Sequence, residues 1–356
     1  MLRFLYLPLA ATGAYVFLLS PNTLEIFKHI TAVQKSGLFP HGEALKKSYT
    51  GIWQIDYGLQ LLVCFVQQLV DGSNPDAWTL LLNFLMGLLP ACIGVWAIEA
   101  ARKGTPQTAM RSPLTFNQAM QTIGFCTAAP LGFYAHVSTP KPKDASLPAA
   151  RAASILPALI LGFMVPTAAM FLPSTHIATA TRQSIIVAGQ GGFPLLFYVL
   201  QRISAAAASG RAKNERCHVY AVYNFLIAGS LAVHAYTYYY IFAAAAAESP
   251  VTRLASVFVP RSNPQALGDR TVWFIQIDFL LGAIAALLWT AMSVWSVMDA
   301  AGKSLGKALG LATAVAAAAI VVGPGTVVAA GFRWREAQLR SEVEKVKKVA
   351  VVEEKR

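Results

Sequence analysis

The chain has 356 residues, 56% of them hydrophobic and only 13% charged, with a formal net charge of +12. Soluble domains carry about a quarter of their residues charged, so this composition argues against a water-soluble fold. The positive charge does not imply a nucleic-acid partner, because Lys and Arg cluster between the apolar runs, where they meet anionic lipid headgroups and set topology.

The apolar runs are roughly twenty residues long, as transmembrane helices require, and lack the ten-residue alternation of a membrane barrel. In chain order they predict spans at residues 4–20, 51–70, 77–101, 116–137, 153–172, 184–204, 218–243, 271–295 and 308–330. The expected fold class is therefore all-α, a polytopic transmembrane helical bundle of about nine spans (seven to nine). One membrane domain covers residues 1–332, followed by a charged C-terminal tail, 333–356. The first run contains Pro8 and ends at Ser20-Pro21, a poor cleavage site, so it reads as a signal anchor. Cys64, Cys92, Cys126 and Cys217 have no metal-type spacing and read as small apolar residues.

Nine alternating spans place loops 21–50, 102–115, 173–183 and 244–270 and the tail on one side. That side carries the excess of Lys and Arg, which puts the C-terminus in the cytosol. The same alternation sets Asp56, Glu99 and Asp278 within about 10 Å of one membrane face, on three different helices. An acid inside hydrocarbon is costly and marks a functional site by default. A structural reading stands beside each: Asp56 or Asp278 as a helix–helix hydrogen-bond partner, Glu99 as an ion pair with Arg102 or Lys103. Asp71 and Asp76, in a Gly- and Pro-bearing turn, read as loop or cap residues.

Helical periodicity groups Trp53, Asp56, Tyr57, Gln60, Cys64 and Gln67 into one polar-aromatic stripe. Tyr220, Asn224, Leu231, His234 and Tyr238 form a second, and Asp278 shares its face with Gly282 and Ala285. Polar groups in lipid need partners, so these stripes are expected to face the bundle interior or a cavity. A carboxyl in such a site is pushed towards its neutral form and becomes a proton donor for an epoxide or alkene. Aromatic faces steady a developing carbocation. Asp56, Glu99 and Asp278 are thus the candidate catalytic acids. Trp53, Tyr57, Gln60, His234, Tyr238, Trp273 and Phe274 are the candidate substrate contacts. No diphosphate-binding Asp motif, nucleotide loop, metalloprotease motif or nucleophile elbow occurs, so neither a metal nor a cofactor is expected.

The run Tyr49-Thr50-Gly51-Ile52-Trp53-Gln54-Ile55-Asp56-Tyr57-Gly58-Leu59, followed by Val70-Asp71-Gly72-Ser73-Asn74-Pro75, resembles fungal membrane-bound terpene cyclases of the ascofuranone-pathway type. So do Ile98-Glu99-Ala100-Ala101-Arg102-Lys103-Gly104, Gln121-Thr122-Ile123-Gly124-Phe125 with Pro130-Leu131, and Phe274-Ile275-Gln276-Ile277-Asp278-Phe279. The resemblance implies metal-free, acid-assisted cyclisation of an epoxidised farnesyl chain in meroterpenoid secondary metabolism. It adds Asp71 as an outlying acid and implies a hydrophobic prenylated substrate within the endoplasmic reticulum membrane. Two alternatives remain at this level. One is a proton-coupled carrier of a small hydrophobic molecule, although inverted repeats are not evident. The other is a non-catalytic lipid-binding scaffold.

Overall fold

The computed structural model describes residues 2–105, 112–139, 146–173, 175–243, 249–298 and 304–354. Among them the chain is helical, and the one strand-like feature is an isolated bridge between Leu38 and Ala44.

Helices α1 (Tyr6–Leu18) and α2 (Pro21–Ser36) part at Ser20, whose hydroxyl caps α2 by accepting from the Thr23 amide. An irregular segment, 37–52, leads to α3 (Trp53–Val70). Asn74 caps α4 (Pro75–Leu82), which passes through a wide π turn (Asn83–Leu88) into α5 (Leu89–Ala101). Next come α6 (Pro113–Ile123) and α7 (Phe125–Ser138). Then α8 (Ala149–Leu159) joins α9 (Val165–Met170) through a π turn at Ile160–Met164. A third π turn, Val187–Gly191, joins α10 (Thr179–Ile186) to α11 (Phe193–Ala208). The remainder is α12 (Glu215–Ala243), α13 (Pro250–Phe258), α14 (Leu267–Val297), α15 (Leu305–Val322) and α16 (Pro324–Glu354).

Each π turn has a proline just beyond it: Pro90, Pro166 and Pro194. A helical proline clashes with the carbonyl four residues back, here Met86, Gly162 or Gln190, and offers it no N–H. Widening the helix locally relieves that clash.

Every residue of α5 is buried, so it is the axis of the bundle, with α8, α12 and α16 packed directly on it. Among the described residues five helical stretches are long and apolar enough to cross a membrane: Arg3–Ser36, Pro75–Ala101, Ala149–Met170, Glu215–Ala243 and Leu267–Val297. A sixth is counted if Thr179–Gly191 and Phe193–Ala208, bent by 64°, form one span. Three expected spans fall short for local reasons. Helix α3 carries Asp56 and four glutamines, Gln54, Gln60, Gln67 and Gln68. The run 116–137 breaks at Gly124 (φ 78°), and 308–330 breaks at Gly323 (φ 90°) ahead of Pro324.

The boundary expected at 332/333 falls inside α16, which continues unbroken with Arg335 and Glu336 buried. The final residues, 355–356, lie outside the described residues.

A phenylalanine-walled cavity with one carboxyl group

A cavity of about 410 Å³ opens between α2, α3, the α4–α5 junction, the α6–α7 corner and α14. That volume lies within the usual range for small-molecule sites, roughly 300–1,000 Å³. Its longest wall is one face of α3: Gly58, Leu61, Leu62, Phe65, Val66 and Leu69. These positions follow the i, i+3, i+4 repeat of a helix and make an apolar strip about 16 Å long. The other walls contribute Phe17, Phe84, Phe125 and Phe274. Phe274 is edge-on to both Phe17 (5.4 Å) and Phe65 (5.1 Å), and Phe84 tilts against Phe125 (5.6 Å).

Asp278 is the carboxylic acid of this cavity, and it is buried. One of its oxygens, Oδ1, accepts the Cys126 amide at 2.7 Å, at the N-terminus of α7. The Cys126 thiol and the Phe125 amide also approach the carboxyl group. Two glycines make this placement possible. Gly124 adopts the left-handed φ of 78° that turns α6 into α7, and a Cβ there would strike the Phe17 ring. Gly282, one turn beyond Asp278, lets the Phe125 ring lie directly against α14; a Cβ there would come within 2.1 Å of it.

The other two acids lie elsewhere, and the expected convergence of three carboxyls on one chamber is not what the fold builds. Asp56 is buried at the start of α3 and accepts five hydrogen bonds, all from segment 48–51. The donors are the Ser48 and Thr50 hydroxyls and the amides of Tyr49, Thr50 and Gly51. With every donor coming from this segment, Asp56 anchors an irregular loop whose backbone would otherwise lack partners. Asp56→Ala should therefore lower the amount of folded protein, with any remainder keeping its turnover per molecule. Quantitative blotting alongside product assay checks this.

Glu99 sits at the opposite end of α7 from Asp278. It pairs with Arg102 (2.7 Å) and Arg335 (2.9 Å) and meets His136 at 3.4 Å. Arg102 also binds Glu336 at 2.5 Å, and Arg340 joins Glu336 (2.7 Å) to Glu215 (3.0 Å). His136 lies about 15 Å along α7 from Cys126, the residue that tethers Asp278. The shared membrane level expected for Glu99 and Asp278 depended on strict alternation of the spans between them, which the break at Gly124 interrupts.

The polar stripes meet other segments of the chain rather than the cavity. On α3, Gln60 donates to the Lys47 carbonyl (2.7 Å) and Gln67 to Glu43 (3.0 Å), while Trp53 (73% exposed) and Tyr57 point outward. On α12, His234 (3.1 Å) and Tyr238 both bind the Ile320 carbonyl. In a continuous helix that carbonyl would be met by the amide of residue 324, which is proline. Asn83 donates to the other His234 nitrogen at 3.3 Å, which fixes the neutral ring with its proton towards Ile320. Trp273 packs on the core without lining the cavity, Asp71 holds its own turn through Ser73, and Asp76 accepts from Tyr240 and Ser256. Of the residues singled out from sequence, Asp278 and Phe274 line the cavity. Sequence reading passed over Phe17, Phe65, Phe84 and Phe125, although the spacing of residues 58 to 69 on α3 carries the signal for that wall. Among the described residues no three His, Cys, Asp or Glu side chains gather as a metal site.

The family model for the CtvD domain matches residues 2–339. The chain belongs to the CtvD domain family. It is 25% identical over 322 residues to the terpene cyclase ctvD of Aspergillus terreus, covering 83% of this chain and 87% of that one. It is also 25% identical over 355 residues to the terpene cyclase DEP1 of Alternaria brassicicola, covering 88% and 92% respectively. The resemblance to fungal terpene cyclases read from the sequence motifs is thereby upheld. No solved structure matches the chain.

One position offers a steric test of the cavity. Gly58 lines it, is exposed, and a Cβ there would meet nothing within 4 Å. Gly58→Trp should cut turnover at least about tenfold by filling the opening. Its thermal midpoint should not fall, since glycine inside a helix is itself unfavourable by about 1 kcal/mol. Product formation and thermal unfolding of the same preparation check both.

Proposed function

We propose that this protein is a membrane-bound terpene cyclase in which Asp278 starts the reaction by protonating an epoxidised farnesyl chain. The observation that carries the reading is a single buried carboxyl group set into a cavity otherwise walled largely by phenylalanine and aliphatic side chains. The relatives named terpene cyclases support the reaction class.

In its protonated form Asp278 gives its proton to the epoxide oxygen, and the adjacent carbon–oxygen bond breaks. The positive charge forms among Phe17, Phe65, Phe84, Phe125 and Phe274, whose ring faces attract a cation and offer it no nucleophile. Capture by an alkene or a hydroxyl of the same chain closes the ring, and loss of a proton completes an isomerisation. The Cys126 amide keeps one carboxyl oxygen fixed throughout, so the acid is already oriented when substrate arrives. In this reading Asp56 and Glu99 hold the scaffold and take no part in proton transfer. The substrate is an epoxyfarnesyl phenol of a meroterpenoid pathway, drawn from the endoplasmic reticulum membrane. The chain needs neither metal nor nucleotide for this step, and its C-terminus faces the cytosol.

The direct test is to feed epoxyfarnesyl phenols to a heterologous host making this chain and to analyse the products. Cyclised isomers of unchanged mass are expected. Recovery of the open-chain epoxide alone, with the protein present in the membrane fraction, would overturn the assignment.

A further inference from the structure

Besides Asp278 and Thr23, a third buried polar residue lines the cavity, Gln190, and it stands on a different wall from Asp278. Gln190 lies in the π turn Val187–Gly191, within the run Gly189-Gln190-Gly191-Gly192. The turn is held on two sides. A Cβ on Gly191 would sit 3.0 Å from Leu59 and 3.3 Å from Leu62 of α3, and one on Gly189 would sit 3.0 Å from the Pro166 backbone. A side chain at either glycine would crowd these neighbours, so the two glycines let the turn pack closely on both sides.

Its hydrogen bonds settle which way the amide points. The Thr167 hydroxyl gives its proton to the Gly189 carbonyl at 3.5 Å, so towards Gln190 it can only accept. The amide nitrogen is therefore the end that meets Thr167, at 3.2 Å, with the Met170 sulfur at 3.7 Å on the same side. The carbonyl oxygen, Oε1, accepts no hydrogen bond among the described residues. It is therefore an acceptor available to a donor on a ligand.

Helix α3 relates the two polar groups. Leu62 lies beside the π turn, and Phe65, one turn along, meets edge-on Phe274 of α14, one turn from Asp278. Gln190 and Asp278 thus line one chamber from two different elements, the π turn and α14.

From this geometry we infer that Gln190 is a specificity-determining residue whose carbonyl accepts the O–H of a hydroxyl-bearing prenyl ligand. The inference rests on the reading of the cavity as the cyclisation site and adds the class of ligand it selects. A ligand with a free hydroxyl is held across the chamber from the acid. Its O-alkylated counterpart leaves Oε1 without a donor, and a site built around a buried polar group discriminates strongly against such an analogue.

Farnesol and farnesyl methyl ether are a matched pair of probes that differ in that donor. Binding of each to the purified, detergent-solubilised full chain should show a preference for farnesol of about tenfold or more. Gln190→Leu should bring the two affinities within about threefold by weakening farnesol alone, and Gln190→Glu, which keeps an acceptor oxygen, should restore the preference. Thr167→Val removes the anchor of the amide and should halve the preference or more, which provides a second reading if the leucine variant does not accumulate. Equal binding of the two probes by the unmodified protein, or an undiminished preference in Gln190→Leu, overturns the inference. If that happens while epoxyfarnesyl phenols are still cyclised, only the role of Gln190 falls. If neither probe binds and no cyclisation is seen, the cavity assignment falls with it.

Discussion

Asp278→Asn should abolish cyclisation while leaving the protein in the membrane at its normal amount. The asparagine oxygen can still accept the Cys126 amide, so the tether between α14 and the start of α7 survives. What is lost is the transferable proton. General acid catalysis contributes typically about 10²–10⁴-fold, and with no other carboxylic acid lining the cavity among the described residues, the upper part of that range is expected. The comparison with Asp56→Asn and Glu99→Gln gives the experiment its force. Those substitutions should reduce how much folded protein accumulates, with turnover per folded molecule unchanged. Microsomes normalised for protein content separate the two kinds of loss. Full activity in Asp278→Asn would remove that residue from the mechanism.

Arg102→Met should be the most damaging single substitution for stability. The guanidinium stands between Glu99 and Glu336, and all three side chains are buried. Removing it leaves two carboxylates facing each other with Arg335 and Arg340 as the remaining cations of the cluster. Breaking a buried ion pair from one side costs about 3–5 kcal/mol, because the partner is left charged and desolvated. The expected readout is a large drop in the thermal midpoint in detergent, or failure to accumulate at all. A double change, Arg102→Met with Glu336→Gln, should recover part of the loss. Absence of any recovery would mean that the two side chains do not act as a pair.

How much of this was legible beforehand depends on whether a residue's partner is local in the chain. The all-helical class, with several helices long and apolar enough to cross a membrane, follows from the apolar runs of the sequence. Asp278 was visible as an acid in the middle of an apolar run, and Phe274 as its neighbour one turn away. The polar stripes on α3 and α12 were real as periodicities, but their meaning depended on partners far off in sequence. The α3 stripe faces segment 43–51, and His234 and Tyr238 face a carbonyl 86 and 82 residues away that Pro324 has deprived of its usual donor. Helical period shows that residues share a face, not what lies opposite it. Glu99 illustrates the same limit, since its partner Arg335 is 236 positions away in what reads as a solvated tail. The apolar runs 116–137 and 308–330 are each interrupted where one glycine, at 124 or 323, takes a positive φ.

The third π turn has a consequence of its own. Such a turn holds one residue more than regular α-helix, and each residue added to a helix swings everything after it by about 100°. Replacing Pro194 with a residue that can donate an amide proton would let this stretch wind normally, and Gln190 would then rotate out of the chamber. On the proposal that Gln190 selects the ligand, preference would be retuned by changing helix pitch at a proline, with no substitution among the side chains proposed to touch the ligand.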